Sequence, residues 1–505
     1  MPASRPNILL VTTDQQRTDT LSCYGAAHTH TPHLDRLARE GILFRRAYTV
    51  NPVCTPTRVS LFTGKMPSRH GAWNVGVNYR GGEMALSHDL LRSGYRTHYV
   101  GKAHFETFGG TQDQSLETLY QWEKRYPEFS GPYYGFESIE LSLGHATFGV
   151  AGHYGAWVRS QVTEAEFRSY SDSQAVVPEY FGGEARDWDL PQHLHSSVWT
   201  AGRTIDFLEH HDRAQPFFLA VGFQDPHHPH ALPRDFDDRV DPAQVPLPDF
   251  TPGELDDKPP HFADARYGNL ERSWTRGDYP MAGQGAGANF SSVSEAAAKL
   301  GRAYYYGMVR LLDREMGRIL LALDRLDLTR DTIVVFTTDH GELLGDHGLW
   351  MKGPFHYEQM LRIPLIIRWP GAANPGGETN ALYSHVDLAP TLLAAAGVTP
   401  SEPLDGVDLA PVLNGESAGV RDHVIVEFVD DPRTIRMKTV ITANRKLSWY
   451  HGQPFGELYD LDLDPREKVN RWDDPAYAGD KAALLSRIIA SLEGLEVRSP
   501  RHCYA

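Results

Sequence analysis

The sequence predicts an α/β fold, with a large, mostly parallel sheet sandwiched by helices and a smaller antiparallel C-terminal α+β domain. Three observations predict it. Apolar runs of strand length recur along the chain: NILLVTT (7–13), THYVG (97–101), FFLAVGF (217–223), TIVVFTT (332–338) and IPLIIRW (363–369). They are rich in β-branched and aromatic residues, which suit buried strands. Helical patterns lie between these runs, and strands alternating with helices imply a parallel sheet covered on both faces. After about residue 420 the rhythm changes to short strands separated by turns, HVIVEF, KTVITA, KLSWY and GELYDL, closed by a helix near AALLSRIIASLEGL.

The first helical pattern is TPHLDRLAREG (31–41), with Thr31 at the N-cap, Pro32 at the first helical position and Gly41 past the end. Residues 294–327 place Met308, Leu311, Leu312, Met316, Ile319, Leu320 and Leu323 on one face of a long helix. Residues 105–190 break the alternation with aromatics and glycines and read as an irregular insertion over one edge. Residues 230–295, rich in Pro, Asp and Gly, read as a long excursion. The expected division is residues 1–420 for the catalytic α/β unit and 421–505 for the C-terminal one.

A formal net charge of -16, from 49 Lys+Arg against 65 Asp+Glu, argues against nucleic acid or anionic membranes as partners. It leaves room for a local positive pocket that holds a small anion. Three cysteines, Cys23, Cys54 and Cys503, make no disulfide framework. The apolar run at the N-terminus is too short for a signal peptide, and no segment approaches the roughly 18 apolar residues of a membrane span. A cytoplasmic location is expected. A homo-oligomer is compatible with the sequence, which does not reveal the oligomeric state.

Chemistry gathers where the strands end. NILLVTTDQ and TIVVFTTDH each deliver an acid and a second donor, Asp14 with Gln15 and Asp339 with His340. Ligands of open α/β sheets bind beyond the carboxyl ends of strands, and paired carboxylates suit a hard divalent cation. An Asp after a strand is, by itself, more often a turn residue or a helix cap. THYVGKAH delivers Lys102 and His104, and FFLAVGFQDPHHPH delivers Asp225, His227, His228 and His230. Taken alone, Lys102 reads as a snorkelling surface lysine and the histidines as a solvated surface loop, and no cysteine lies near the histidines to complete a zinc cluster. Lys352 follows in DHGELLGDHGLWMKG as a clamp for phosphate or sulfate, or as an inert exposed lysine. The convergence decides: nitrogen donors beside a metal make a site for a tetrahedral oxyanion.

Cys54 stands in NPVCTPTRVSLFTG (51–64), where Thr57 to Phe62 reads as the first turns of a helix. That places the thiol at a helix N-terminus with Arg58 four residues on, where negative charge is favoured. A buried inert cysteine and a low-pKa thiolate nucleophile both fit.

These residues resemble the sulfatase family of the alkaline-phosphatase superfamily. The signature C-x-P-x-R, then four residues and Thr-Gly, stands as Cys54, Pro56, Arg58, Thr63 and Gly64. Supporting segments span most of the chain: PNILLVTTDQ, TPHLDRLAREG, VGKAH, DPHHP, TTDHGELLGDHG and LYDLDLDPREKVN. The resemblance implies an alkaline-phosphatase-like fold and hydrolysis of sulfate monoesters, aryl or small alkyl or sugar sulfates. It implies that a maturation enzyme oxidises Cys54 to Cα-formylglycine, whose metal-bound hydrate attacks sulfur and then expels sulfate. Asp14, Gln15, Asp339 and His340 match the metal ligands, with residue 54 as a further one. Arg58 would orient the nucleophile, Lys102 and Lys352 would clamp sulfate, His104 would take the proton of the second hydroxyl, and His227 would bind sulfate or protonate the leaving oxygen. Asp225 and His228 lie outside the motif.

Gln15 stands where many members carry Asp, and His340 where many carry Asn. Calcium is the expected metal, and the imidazole leaves room for manganese. The alternative activity is that of the related phosphonate monoester and phosphodiester hydrolases, in which neutral hydroxyl residues replace the Lys-x-His pair kept here as Lys102 and His104. A silent anion-binding protein with an unmodified Cys54 is a further alternative. The aromatic segment with Tyr133, Tyr134, His145, His153, Tyr154 and Trp157 reads as packing or as a pocket for the ester's alcohol.

Overall fold

The computed structural model describes residues 5–108, 115–118, 128–170, 185–268, 289–430 and 435–495; Cys503 lies outside them. Among the described residues ten strands precede the C-terminal sheet: β1 (Asn7–Thr13), β2 (Ile42–Tyr48), β3 (Arg96–Gly101), β4 (Ser138–Leu141), β5 (Ala185–Trp188), β6 (Phe217–Gly222), β7 (His230–Pro233), β8 (Thr332–Thr338), β9 (Leu365–Arg368) and β10 (Glu378–Ser384). Eight of them form one sheet in the order β10-β2-β9-β8-β1-β6-β3-β4, and β5 pairs with β7 apart from it.

The centre of the sheet is parallel, as the alternation of strands and helices predicts. β1 lies between β6 and β8, and β3 follows β6, all parallel. The five runs read as strands are all present. Only β9 departs in direction, running antiparallel to both β8 and β2. β2 and β10 escaped the sequence reading for a physical reason. β2 (ILFRRAY) carries Arg45 and Arg46 in mid-run. β10 is an edge strand whose first three residues are partly or fully exposed. Arg45 bridges the two strands to Glu378 through Nε and Nη2, at 2.7 and 2.6 Å.

Alternate residues of β1 enter different cores. Leu9 and Val11 pack on one face with Met308, Leu312, Ile319 and Leu323 of the long helix Glu295–Arg325. Ile8 and Leu10 pack on the other with Val59, Phe62, Leu388 and Leu392. Period-2 alternation between two apolar faces is what a strand buried on both sides requires. Each such buried side chain contributes about 1.5–3 kcal/mol.

The helix Pro32–Glu40 forms where its caps predict. Gly41 ends it with φ -121°, an ordinary extended conformation. Its lack of a side chain serves close approach instead, since a Cβ there would lie 2.6 Å from the carbonyl oxygen of Ile367 in β9.

The insertion expected to be irregular holds regular elements in its described parts: β4, which extends the sheet beside β3, the helix Gly152–Gln161, and β5. The excursion after residue 230 begins with β7 and includes the helix Pro260–Tyr267. The C-terminal sheet is antiparallel, in the order β11 (His423–Val429), β12 (Arg436–Thr442), β13 (Arg445–Tyr450), β14 (Gly456–Asp460). The helix Ala478–Gly494 packs Leu484 and Ile488 against Val440, Leu447 and Leu458 of that sheet. Among the described residues no helix is long and apolar enough to cross a membrane.

Candidate active site

β1 and β8 run in register, with Thr13 opposite Thr338. Each chain leaves its strand at the next residue, so Asp14 and Asp339 emerge side by side. The backbone of Gln15 then turns through φ 63°, left-handed for a non-glycine residue. Its N–H donates to Asp339 Oδ1 at 2.9 Å, and its carbonyl accepts from Tyr305 Oη at 2.6 Å. β3 ends beside β6, where Gly101 opposes Gly222. A Cβ on Gly101 would stand 2.0 Å from the Gly222 carbonyl oxygen. Only glycine lets the chain cross there and bring Lys102 onto the same rim.

Cys54 is the first residue of the helix Cys54–Thr63, all ten residues of which are buried. Its Sγ lies 3.0 Å from Lys352 Nζ, 3.3 Å from His340 Nε2 and 3.6 Å from Asp14 Oδ1. Burial and Asp14 push this thiol up, yet the charges of Lys352, Lys102 and His340 hold it below its ordinary value. Arg58, one turn on, reaches the carboxylates beneath: Nε to Asp339 Oδ2 at 2.9 Å and Nη2 to Asp14 Oδ2 at 3.3 Å. Burial raises Asp14, but Lys102 and Arg58 outweigh it and keep the carboxyl well below the usual range.

Lys102 Nζ donates to Asp14 and, at 2.9 Å, to His145 Nδ1. Lys352 Nζ donates to His227 Nε2 at 2.8 Å. The other ring nitrogen of His227 donates to the carbonyl of His228. Burial, followed by the neighbouring His145, His228 and Lys352, holds His227 well below its ordinary value, so the ring is neutral. His104 is likewise neutral through burial and Lys102, and its Nδ1 is buried without a hydrogen-bond partner. All of Asp14, Gln15, Cys54, Arg58, Lys102, His104, His227, Asp339, His340 and Lys352 are buried.

A family model described as Sulfatase matches residues 6–398, and one described as N-sulphoglucosamine sulphohydrolase, C-terminal, matches residues 345–493. The chain belongs to the sulfatase family. An arylsulfatase of Clostridium perfringens is 27% identical over 97% of this chain and 95% of its own length. A choline-sulfatase of Rhizobium meliloti is 27% identical over 96% of this chain and 86% of its own. A phosphonate monoester hydrolase structure from Agrobacterium radiobacter superposes with a TM-score of 0.79 at 26% identity, covering 97% of this chain and 96% of that one. The fold is alkaline-phosphatase-like, and sulfate ester hydrolysis is the activity that the family and its full-length relatives support.

The sulfatase brings the sequence-predicted residues together and fits the metal its family implies. Donor atoms of Asp14, Cys54, Asp339 and His340 all lie within 4.8 Å of one another. His340 Nδ1 donates to the Gly341 carbonyl at 2.9 Å, which leaves the Nε2 lone pair for the cluster. Gln15 holds its amide nitrogen against Glu342 and His228 Nδ1, while its Oε1 is buried without a partner. A buried acceptor left open beside carboxylates is what a cation ligand looks like before the cation is added.

Two sulfatase residues escaped the sequence reading, and a third, His145, was read only as packing or pocket lining. Glu342 holds the Gln15 amide, and its signal was only its place inside TTDHGELLGDHG. Glu117 accepts from the backbone N–H groups of His104, Phe105 and Glu106, at 2.7, 2.8 and 3.1 Å, and so shapes the loop of His104. His145 comes from the aromatic segment, where packing is otherwise the outcome: Tyr133 bonds Glu117, Tyr134 bonds Glu106 and Tyr154 bonds the Leu194 carbonyl. The Asp225 carboxylate accepts from Ser197 and lies 3.7 Å from His195 Nδ1, while its backbone carbonyl accepts from the N–H of Asp14 at 3.1 Å.

Proposed function

We propose that this sulfatase cleaves small sulfate monoesters, aryl or alkyl, at residue 54 after Cys54 has been oxidised to Cα-formylglycine by a maturation enzyme. The observation that carries the reading is the position of the Cys54 Sγ, at a buried helix N-terminus between Lys352, His340 and Asp14. Sγ stands in for the oxygens of the hydrated aldehyde. When present, that group supplies a hydroxyl that attacks sulfur and a second hydroxyl whose deprotonation expels sulfate. Asp14, Gln15, Asp339 and His340 would hold the divalent cation, which would supply positive charge beside the nucleophile. The carboxylates and the amide oxygen suit calcium, and the imidazole would admit manganese.

The side chains around residue 54 divide the remaining work. Lys102 and Lys352 hold the sulfate oxygens with donors aimed where negative charge develops. Arg58 keeps Asp14 and Asp339 ionised and spaced, and through them orients residue 54. Lys352 and His227 form a short proton path, 2.8 Å long, toward the leaving oxygen. His104, neutral and with an open Nδ1, receives the proton of the second hydroxyl. A cytoplasmic setting accords with small esters rather than polysaccharides.

Mass spectrometry of the 51–58 peptide, from protein made with a maturation enzyme, tests the reading together with turnover of 4-nitrophenyl sulfate. Aldehyde at residue 54 with sulfatase activity supports it; full activity with an unmodified thiol would sink it. The phosphonate monoester hydrolase neighbour favours a second reading. Retention of Lys102 and His104 speaks for sulfate, so kcat/KM for the aryl sulfate should exceed that for an aryl phosphonate and a phosphate diester.

A further inference from the structure

The segment 144–149 makes a tight turn that enters the site from outside the parallel core. Gly144 has φ +75° and Ala146 φ +38°, so His145 is held between two left-handed residues. For alanine that conformation is strained and persists only where the surroundings over-determine it. The surroundings here are Gln224. Its Nε2 donates to the carbonyls of Leu143 at 3.2 Å and Gly144 at 3.0 Å. Its backbone carbonyl accepts from the N–H of His227 at 3.2 Å. One residue, by its side chain on one side and its backbone on the other, therefore ties the His145 turn to the His227 loop.

The two histidines meet face to face, with ring centroids 3.6 Å apart and planes 8° apart. The same His145 ring presents Nδ1 to Lys102 Nζ at 2.9 Å, and its Nε2 lies 3.4 Å from that nitrogen. An ammonium has only donors, so a ring nitrogen of His145 is the acceptor. His145 thus touches both a cation and an imidazole that the proposed chemistry uses.

We propose that His145 is a positioning residue of this sulfatase: a ring nitrogen holds the Lys102 ammonium and its face sets the plane of His227. The two functions are separable, because one needs a nitrogen acceptor and the other an aromatic face. The inference rests on the roles given above to Lys102 and His227.

Two substitutions separate them. His145→Phe keeps a ring for His227 and removes the acceptor for Lys102. His145→Asn keeps an oxygen near the place of Nδ1 and removes the ring. Misplacing a reacting group by about 1 Å can cost up to 100-fold. His145→Phe should weaken inhibition by inorganic sulfate and lower kcat/KM roughly 10- to 100-fold, equally for 4-nitrophenyl sulfate and phenyl sulfate. His145→Asn should leave sulfate inhibition within about twofold of the parent. It should lower kcat/KM more for phenyl sulfate, whose leaving group needs protonation, than for 4-nitrophenyl sulfate.

Identical losses in both variants across both substrates, or losses below about twofold in either, would overturn the proposal. Direct titration of inorganic sulfate into the metal-loaded protein provides a readout independent of turnover, and unchanged affinity in His145→Phe would also overturn it. Absence of sulfatase activity in the parent would instead remove the proposed function itself.

Discussion

Lys352 places its Nζ 3.0 Å from the Sγ of Cys54, although 298 positions separate the two in the chain. The same ammonium lies 2.8 Å from His227 Nε2. On the proposed chemistry, nucleophile and leaving-group donor therefore meet at one cation. Lys352→Ala should lower kcat/KM for 4-nitrophenyl sulfate by about 10²–10³, the scale of removing one preorganised donor. Steady-state kinetics would decide, and a loss under tenfold would take Lys352 out of the reaction.

Arg58 is buried between two carboxylates, Asp14 and Asp339. Arg58→Met leaves two buried like charges without their shared counter-ion. Breaking such a pair costs about 3–5 kcal/mol. Thermal melts with and without added calcium should show a lower Tm and a larger calcium-induced rise than in the parent. Equal rises in both proteins would contradict the arrangement.

The Gln15 amide is held by Glu342, which leaves its Oε1 free. Glu342→Ala should let the amide rotate and weaken cation binding about 10- to 100-fold, as loss of an orienting partner does. Competition against a chromophoric chelator measures this without turnover. An unchanged dissociation constant would mean that Gln15 is no ligand or needs no brace.

Several buried histidines away from the cluster predict how stability follows pH. Burial lowers His70 and His230 to about 3 and His98 and His261 to about 4. In the unfolded chain a histidine titrates near 6.5. Between those values the unfolded chain binds more protons, so stability is full above pH 6.5 and is lost as pH falls toward 4. Each residue contributes roughly 1.4 kcal/mol per pH unit within that window. The Tm should fall steeply from pH 7 to pH 5. His261→Gln, which can still donate to the Pro354 carbonyl that His261 Nε2 meets at 2.9 Å, should flatten the slope. A Tm independent of pH over that range would refute the account.

Much of this site is legible in the chain because strands deliver it. Asp14, Lys102, His227 and Asp339 each follow an apolar run within a few residues, and parallel pairing puts those run ends on one rim. The Cys54 signature is equally local. The part of His145, read only as packing or pocket lining, was not legible, since Tyr133 and Tyr154 have similar surroundings in sequence and hydrogen-bond away from the site. Its part depends on Gln224, 79 positions away by residue number, and on a turn whose backbone conformation no side-chain pattern announces. Glu117 was hidden for a related reason, because it acts on backbone N–H groups, which every residue possesses. β2 was hidden by Arg45, whose partner Glu378 is recruited only by the completed sheet.

Cys54 is 1% exposed, and the helix that begins with it is buried along its whole length. An enzyme that oxidises this thiol must grip the peptide around it, and the finished fold offers nothing to grip. On the proposed chemistry, oxidation and folding therefore compete for the same nascent segment. A chain that folds first keeps its thiol for the life of the molecule. Specific activity then reports the history of each preparation: slower synthesis or more maturation enzyme should raise the active fraction, while later treatment of the folded protein should not.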